Sequence, residues 1–162
     1  MKKALFINGS PRKNFNTAQL LQKALEGAQE AGAEVEMVNL YDRNLNYKGC
    51  MSCFACKVKG GKKVVKPKRS ATIFTMNCPN EEMYRANDYH ILLDTTARQL
   101  GMFGPMEILY SFDTYQFNDY SRYDAAMLPE EHKARMRQMQ FPQDLQKAYE
   151  LGKRLATEAK QG

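Results

Sequence analysis

"KALFINGSPRKNFNT" (Lys3–Thr17) decides how the chain is read. Its apolar residues Ala4–Ile7 run without a break and are closed by "NGSP". A short continuous apolar run bounded by turn residues is the pattern of a strand buried on both faces, as in a parallel sheet. A helix follows. Asn16 or Thr17 is placed to cap it, Leu21, Leu25 and Ala28 lie along one stripe, and Gly32 ends it. "AEVEMVNLYD" (Ala33–Asp42) then alternates Val35, Met37 (or Val38) and Leu40 as a second strand. Strand, helix and strand with a short first loop make a βαβ unit, so the chain is predicted to be α/β.

The loop "NGSPRKNFNT" (Asn8–Thr17) joins that strand to a helix start, where free backbone N–H groups and the positive end of the helix dipole favour an anion. Ser10, Asn16 and Thr17 add hydroxyl and amide donors, and Arg12 adds a charge. A phosphomonoester dianion matches this set. The nucleoside-triphosphate loop needs Gly-Lys-Ser/Thr where this chain has Asn16-Thr17. The dinucleotide fingerprint needs three spaced glycines, and only Gly9 is present. A phosphate held by side chains and loop amides points to flavin mononucleotide (FMN). A capped βα turn with an incidental arginine explains the same residues about as well.

Further along, "SATIFTMN" (Ser70–Asn77) reads as a strand. A helix is predicted from about Asn80 to Leu100, with Asn80 as cap, Glu81 and Glu82 in its first turn and Gly101 as its stop. "MEILYSF" (Met106–Phe112) is another strand, followed by the aromatic-rich "DTYQFNDYSRY" (Asp113–Tyr123), which reads as packing or an interface. A short basic helix is expected after Pro129. A longer one is expected after Pro142, with Leu145, Tyr149, Leu151 and Leu155 as its stripe.

The 162 residues suit one domain, and 43% hydrophobic with 26% charged content describes a globular chain. No apolar run approaches ~20 residues, so no membrane span is expected, and the N-terminal apolar run is too short for a signal peptide; a cytoplasmic location is expected. Net charge is +6, but Lys57–Arg69 alone carries +7, leaving −1 for the rest. So local an excess is not the spread footprint of a nucleic-acid binder, and no nucleic-acid partner is expected. Cys50, Cys53 and Cys56 form a Cys-x-x-Cys-x-x-Cys run, and Cys78 stands apart. No histidine adjoins the run, which speaks against zinc. His90 and His132 fall in helical stretches beside no evident carboxylate or nucleophile and read as structural or surface residues.

"KALFINGSPRKNFNTAQLL" resembles the opening of the flavodoxin-like NAD(P)H-dependent FMN reductases, a group related to iron–sulfur flavoproteins and multimeric flavodoxins. "GCMSCFACK" (Gly49–Lys57), "IFTMNCP" (Ile73–Pro79), "DTYQFNDYSRY" and "FPQDLQKAYELGKRL" resemble later parts of the same family in the same order. The resemblance implies a flavodoxin-like three-layer sandwich with a mostly parallel sheet, spanning residues 1–162. It implies FMN as cofactor, with Ser10, Arg12, Asn16, Thr17 and the Ala18 N–H on the phosphate, and Thr75, Met76 and Asn77 bordering the flavin ring. It further implies NAD(P)H as electron donor and a small-molecule acceptor such as a quinone or free flavin; a homo-oligomer is expected from the shortened middle of the chain. In related iron–sulfur flavoproteins a fourth cysteine completes a 4Fe–4S site; here none follows Cys56 closely, so no cluster is expected from Cys50, Cys53 and Cys56.

The family carries more chain between the cysteine turn and its fourth strand, including the central third strand. Here "GGKKVV" runs almost directly into "KPKRSATIF", so residues 57–69 read as a basic junction. Three explanations stand. The segment is deleted, Val64 and Val65 supply a remnant strand, or the sequence omits residues. A deletion predicts direct pairing of the flanking strands or a sheet completed by a second copy, because buried strand edges need partners. The alternative to a reductase is a degenerate flavodoxin-like binding or assembly module.

Overall fold

The computed structural model describes residues 2–45, 68–126 and 128–157. Cys50, Cys53, Cys56, Val64, Val65 and most of the basic junction lie outside the described residues. The elements run β1 (Lys3–Asn8), α1 (Asn16–Glu30), β2 (Glu34–Asn39), β3 (Ser70–Thr75), α2 (Glu81–Ala86), α3 (Tyr89–Arg98), β4 (Met106–Ser111), α4 (Glu130–Met139) and α5 (Phe141–Thr157). The α/β class predicted from the sequence is observed. Among the described residues no helix is long and apolar enough to cross a membrane.

Two parallel pairs make up the described sheet structure. Lys3–Asn8 pairs in register with Glu34–Asn39, and Ser70–Thr75 with Met106–Ser111. Direct pairing of β1 with β3, one of the two outcomes expected of a deletion, does not occur among the described residues. Both strands instead rest on one helix. Phe6, Ala4 and Ile73 pack into the cluster built around Leu20, Ala24 and Ala28 of α1, which holds both pairs in one layer. The arrangement is flavodoxin-like, with two strands in each sheet.

Strand alternation assigns the layers. On β4, Leu109 faces the α1–α5 cluster, and the Ser111 hydroxyl donates to Asp144 of α5 at 2.8 Å. Tyr110 faces the other way and meets Tyr84 of α2, with ring centroids 5.2 Å apart. The Tyr84 and Tyr110 hydroxyls each donate to the same Asp94 Oδ1 of α3, both at 2.6 Å. On β1 this second face stays open, with Leu5 58% and Ile7 51% exposed.

α1 and α5 meet through small residues. Ala24 and Ala28 of α1 and Ala148 and Ala156 of α5 are buried. A Cβ at Gly152 would collide with the Ala24 carbonyl, and one at Gly27 with the Tyr149 carbonyl. The backbones therefore touch where a larger residue would force them apart.

Between β3 and β4 two helix boundaries depart from the prediction. The helix expected over Asn80–Leu100 is split at Asp88, which has a left-handed φ of 58° and separates α2 from α3. Asn80 does cap α2, accepting from the Met83 N–H at 2.9 Å. A 3₁₀ turn over Gln99–Phe103 follows α3, and the chain reverses at Gly104 (φ 140°), not at Gly101; a side chain at Gly104 would strike the Lys68 backbone.

Candidate functional site

The candidate site lies beyond the carboxyl ends of β1, β3 and β4, where open α/β sheets bind ligands. The first loop leaves β1 at Asn8, a buried residue whose Nδ2 donates to Asn39 Oδ1 at 3.0 Å and whose Oδ1 accepts from the Ser10 N–H at 3.0 Å. The Ser10 hydroxyl accepts from the Arg12 N–H at 3.2 Å. These local bonds shape the loop before α1 begins.

The N-cap of α1 precedes both positions expected for it, Asn16 and Thr17. Phe15 is the N-cap, makes no side-chain cap bond, and no acidic residue occupies the first turn. Phe15 has no oxygen on its side chain to offer. The first helical N–H to find a backbone acceptor is that of Gln19, which donates to Phe15 O at 2.9 Å. The N–H groups of Asn16, Thr17 and Ala18 have no acceptor among the described residues. A positive helix end is thus left open toward the loop.

The side chains expected around the phosphate mainly tie elements together. Arg12 lies over the Phe15 ring at 3.9 Å, and its Nη1 donates to Gln116 O at 2.6 Å. Asn16 is buried, and its Nδ2 donates to Tyr115 O at 2.7 Å. The Thr17 and Thr75 hydroxyls are 2.8 Å apart, linking α1 to the end of β3. Ser10, Arg12, Asn16, Thr17 and Ala18 therefore share one loop and helix start, and Thr75 is brought to it.

Thr75 ends β3, and Met76 and Asn77 open the second loop. The Met76 N–H donates to Ser111 O at 3.0 Å, and Met76 O accepts from the Thr114 N–H at 3.0 Å and hydroxyl at 3.1 Å. Asp113, buried with a left-handed φ of 53°, donates its N–H to Cys78 O at 2.8 Å. Its carboxylate meets His132 Nε2 at 2.5 Å and forms an ion pair with buried Lys133. Lys133 Nζ also donates to Asn77 O at 3.4 Å. The reading of His132 as a residue without a carboxylate partner is thereby corrected. Cys78 is half-buried, with its Sγ 3.5 Å from Asn80 O.

Sequence reasoning missed Asp113, Lys133 and Arg137. Lys133 and Arg137 are four residues apart on a strongly polar helix, a pattern that normally means a solvated face. The aromatic segment packs on itself as expected: Tyr115, Phe117 and Tyr123 gather around Tyr120 and one another, with Phe117 and Tyr123 stacked at 4.4 Å. A shallow groove between α1 and α5, lined by Lys23, Pro142 and Tyr149 among others, contains none of the candidate residues.

Comparison with known proteins bears on this geometry. Residues 2–72, which contain the first loop and the start of β3, match the family described as NADPH-dependent FMN reductase. The family resemblance read from the sequence is matched over this first part of the chain. Over 58 residues the chain is 41% identical to an iron–sulfur flavoprotein of Methanocaldococcus jannaschii, and over 58 residues 41% identical to one of Archaeoglobus fulgidus. Each match covers 36% of this chain and only 29% and 26% of those relatives, so the likeness is confined to a minor part of their length. No solved structure matches the chain.

Proposed function

We propose that the chain is an FMN-binding oxidoreductase that takes electrons from NAD(P)H and passes them to a quinone, a free flavin or another small acceptor. The observation that carries this reading is the open first turn of α1, its Asn16, Thr17 and Ala18 N–H groups without acceptors, inside the segment that matches the FMN reductases. A phosphomonoester suits those donors. Thr75, Met76 and Asn77 would border the ring. When bound, the flavin supplies hydride and electron transfer. The chain's part is to place it: Thr17 to Thr75 joins the phosphate loop to the ring loop, and Lys133 with Asp113 fixes the ring loop from behind. A reducing cytoplasmic location goes with this reading.

A second reading has its own observation in favour. β1 and β3 lack a shared neighbour among the described residues, and Leu5 and Ile7 are exposed. This suits an assembly module, or a homo-oligomer in which a second copy completes the layer. Steady-state oxidation of NADH and NADPH, with FMN added and a quinone as acceptor, separates the two. The oxidoreductase reading expects saturable, FMN-dependent turnover; turnover no faster than that of free FMN would overturn it.

A further inference from the structure

Arg137 of α4 reaches the first turn of α1. Its Nη1 donates to Asn16 Oδ1 at 2.9 Å and its Nη2 to Gln19 Oε1 at 2.5 Å, and the guanidinium lies over the Phe141 ring at 3.9 Å. Both oxygen partners are neutral amides, and Arg137 makes no ion pair among the described residues. The neighbouring cation of the same helix, Lys133, is matched by Asp113. Burial pushes the Arg137 guanidinium below its ordinary value. A desolvated cation without a carboxylate, set beside the positive end of a helix with no acidic residue in its first turn, is electrostatically unfavourable in the free protein. Arg12, the arginine that the family pattern puts on the phosphate, is instead exposed and bonded to the Gln116 carbonyl.

We propose that Arg137 is the positioning residue of the phosphate loop and the main source of its positive potential, so that the site selects flavins carrying a phosphomonoester over flavins without one. The proposal rests on the flavin reading above. Two effects combine. The guanidinium fork fixes which way the Asn16 amide faces, so that its Nδ2 donates to Tyr115 O and holds the helix start in place. Its charge also adds to the field at the open N–H groups without competing for them.

The test compares FMN with riboflavin, which lacks the phosphate, by quenching of flavin fluorescence in wild type, Arg137→Gln and Arg137→Lys. Charged hydrogen-bonding groups count for more than neutral ones, so Arg137→Gln is expected to weaken FMN binding about ten- to a hundredfold. Riboflavin binding should change less than about twofold. Arg137→Lys keeps the charge without the fork and is expected to lose less FMN affinity than Arg137→Gln. Equal loss for both flavins, or no loss for FMN, would overturn the proposal. If wild type takes up neither flavin, the flavin reading fails, and thermal stabilisation by inorganic phosphate decides Arg137 separately. Stabilisation of wild type and Arg137→Lys but not of Arg137→Gln would support the role, and identical responses would refute it. Should Arg137→Gln not fold, the Lys variant carries the test: FMN affinity lowered selectively relative to riboflavin supports the proposal, and parallel affinities overturn it.

Discussion

Single buried charges have the clearest consequences in this chain. Lys133 and Asp113 are both almost wholly buried, and the pair stands behind the Met76–Cys78 loop. Removing Lys133 leaves buried Asp113 with His132 alone opposite it, so Lys133→Met should cost about 3 kcal/mol in urea unfolding, the low end for a broken buried pair. The double variant Lys133→Met/Asp113→Asn should recover part of that loss, and a double variant less stable than the single one would contradict the pairing. Asp94 gives a pH dependence. Burial pushes its carboxyl up, but hydrogen bonds from Tyr110 and Tyr84 with nearby Arg98 and Arg85 outweigh this and hold it below its ordinary value. A depressed folded-state value stabilises the fold above the unfolded carboxyl range near ~3.9, and that stability is lost as pH falls further. Asp94→Asn should therefore flatten the acid limb of the melting temperature against pH. In the same network burial, then the bond to Asp94, pushes the Tyr110 hydroxyl up to about 12. Stability from that group is present below pH ~10 and is lost as pH climbs from there through the raised value.

The helices show which patterns a sequence makes legible. β1, α1, β2, β3 and β4 could be read because apolar runs and turn residues mark them. The small-residue seam of α5 was equally visible, as Ala148, Gly152 and Ala156 recur every four residues. Attention to the large residues Leu145, Tyr149, Leu151 and Leu155 hid it, since periodicity in bulk identifies a helix without saying how closely it approaches its neighbour. Gly152→Val should cost about 3 kcal/mol or more in denaturant unfolding, because the Ala24 backbone has no room to yield. A variant within about 0.5 kcal/mol of wild type would mean that the helices do not touch there. The break at Asp88 was not legible: "RANDYH" carries no glycine or proline, and only the left-handed backbone of an aspartate divides α2 from α3. The roles of α4 were hidden for a related reason. Its polar composition suggested solvent, yet Lys133 and Arg137 point to the two site loops.

At the scale of the whole molecule, two parallel strand pairs share α1 and α5 as a common floor and gather their carboxyl ends around one pair of loops. The family pattern singled out the first loop, Asn8–Thr17, as the candidate site. It did not show that Arg12 and Asn16 would spend their polar groups on the 115–116 carbonyls, because those partners lie about a hundred residues away in the chain. What the loop retains for a ligand is its backbone: the open first turn of α1, with Arg137 at its side. Binding of FMN is therefore the point on which the account stands. Equilibrium dialysis of the purified protein against FMN, read by the visible flavin spectrum and set beside an intact mass, tests it most directly. The account predicts saturable uptake approaching one FMN per chain of the expected mass. Protein of that mass whose compartment holds no more FMN at equilibrium than the buffer opposite would contradict it.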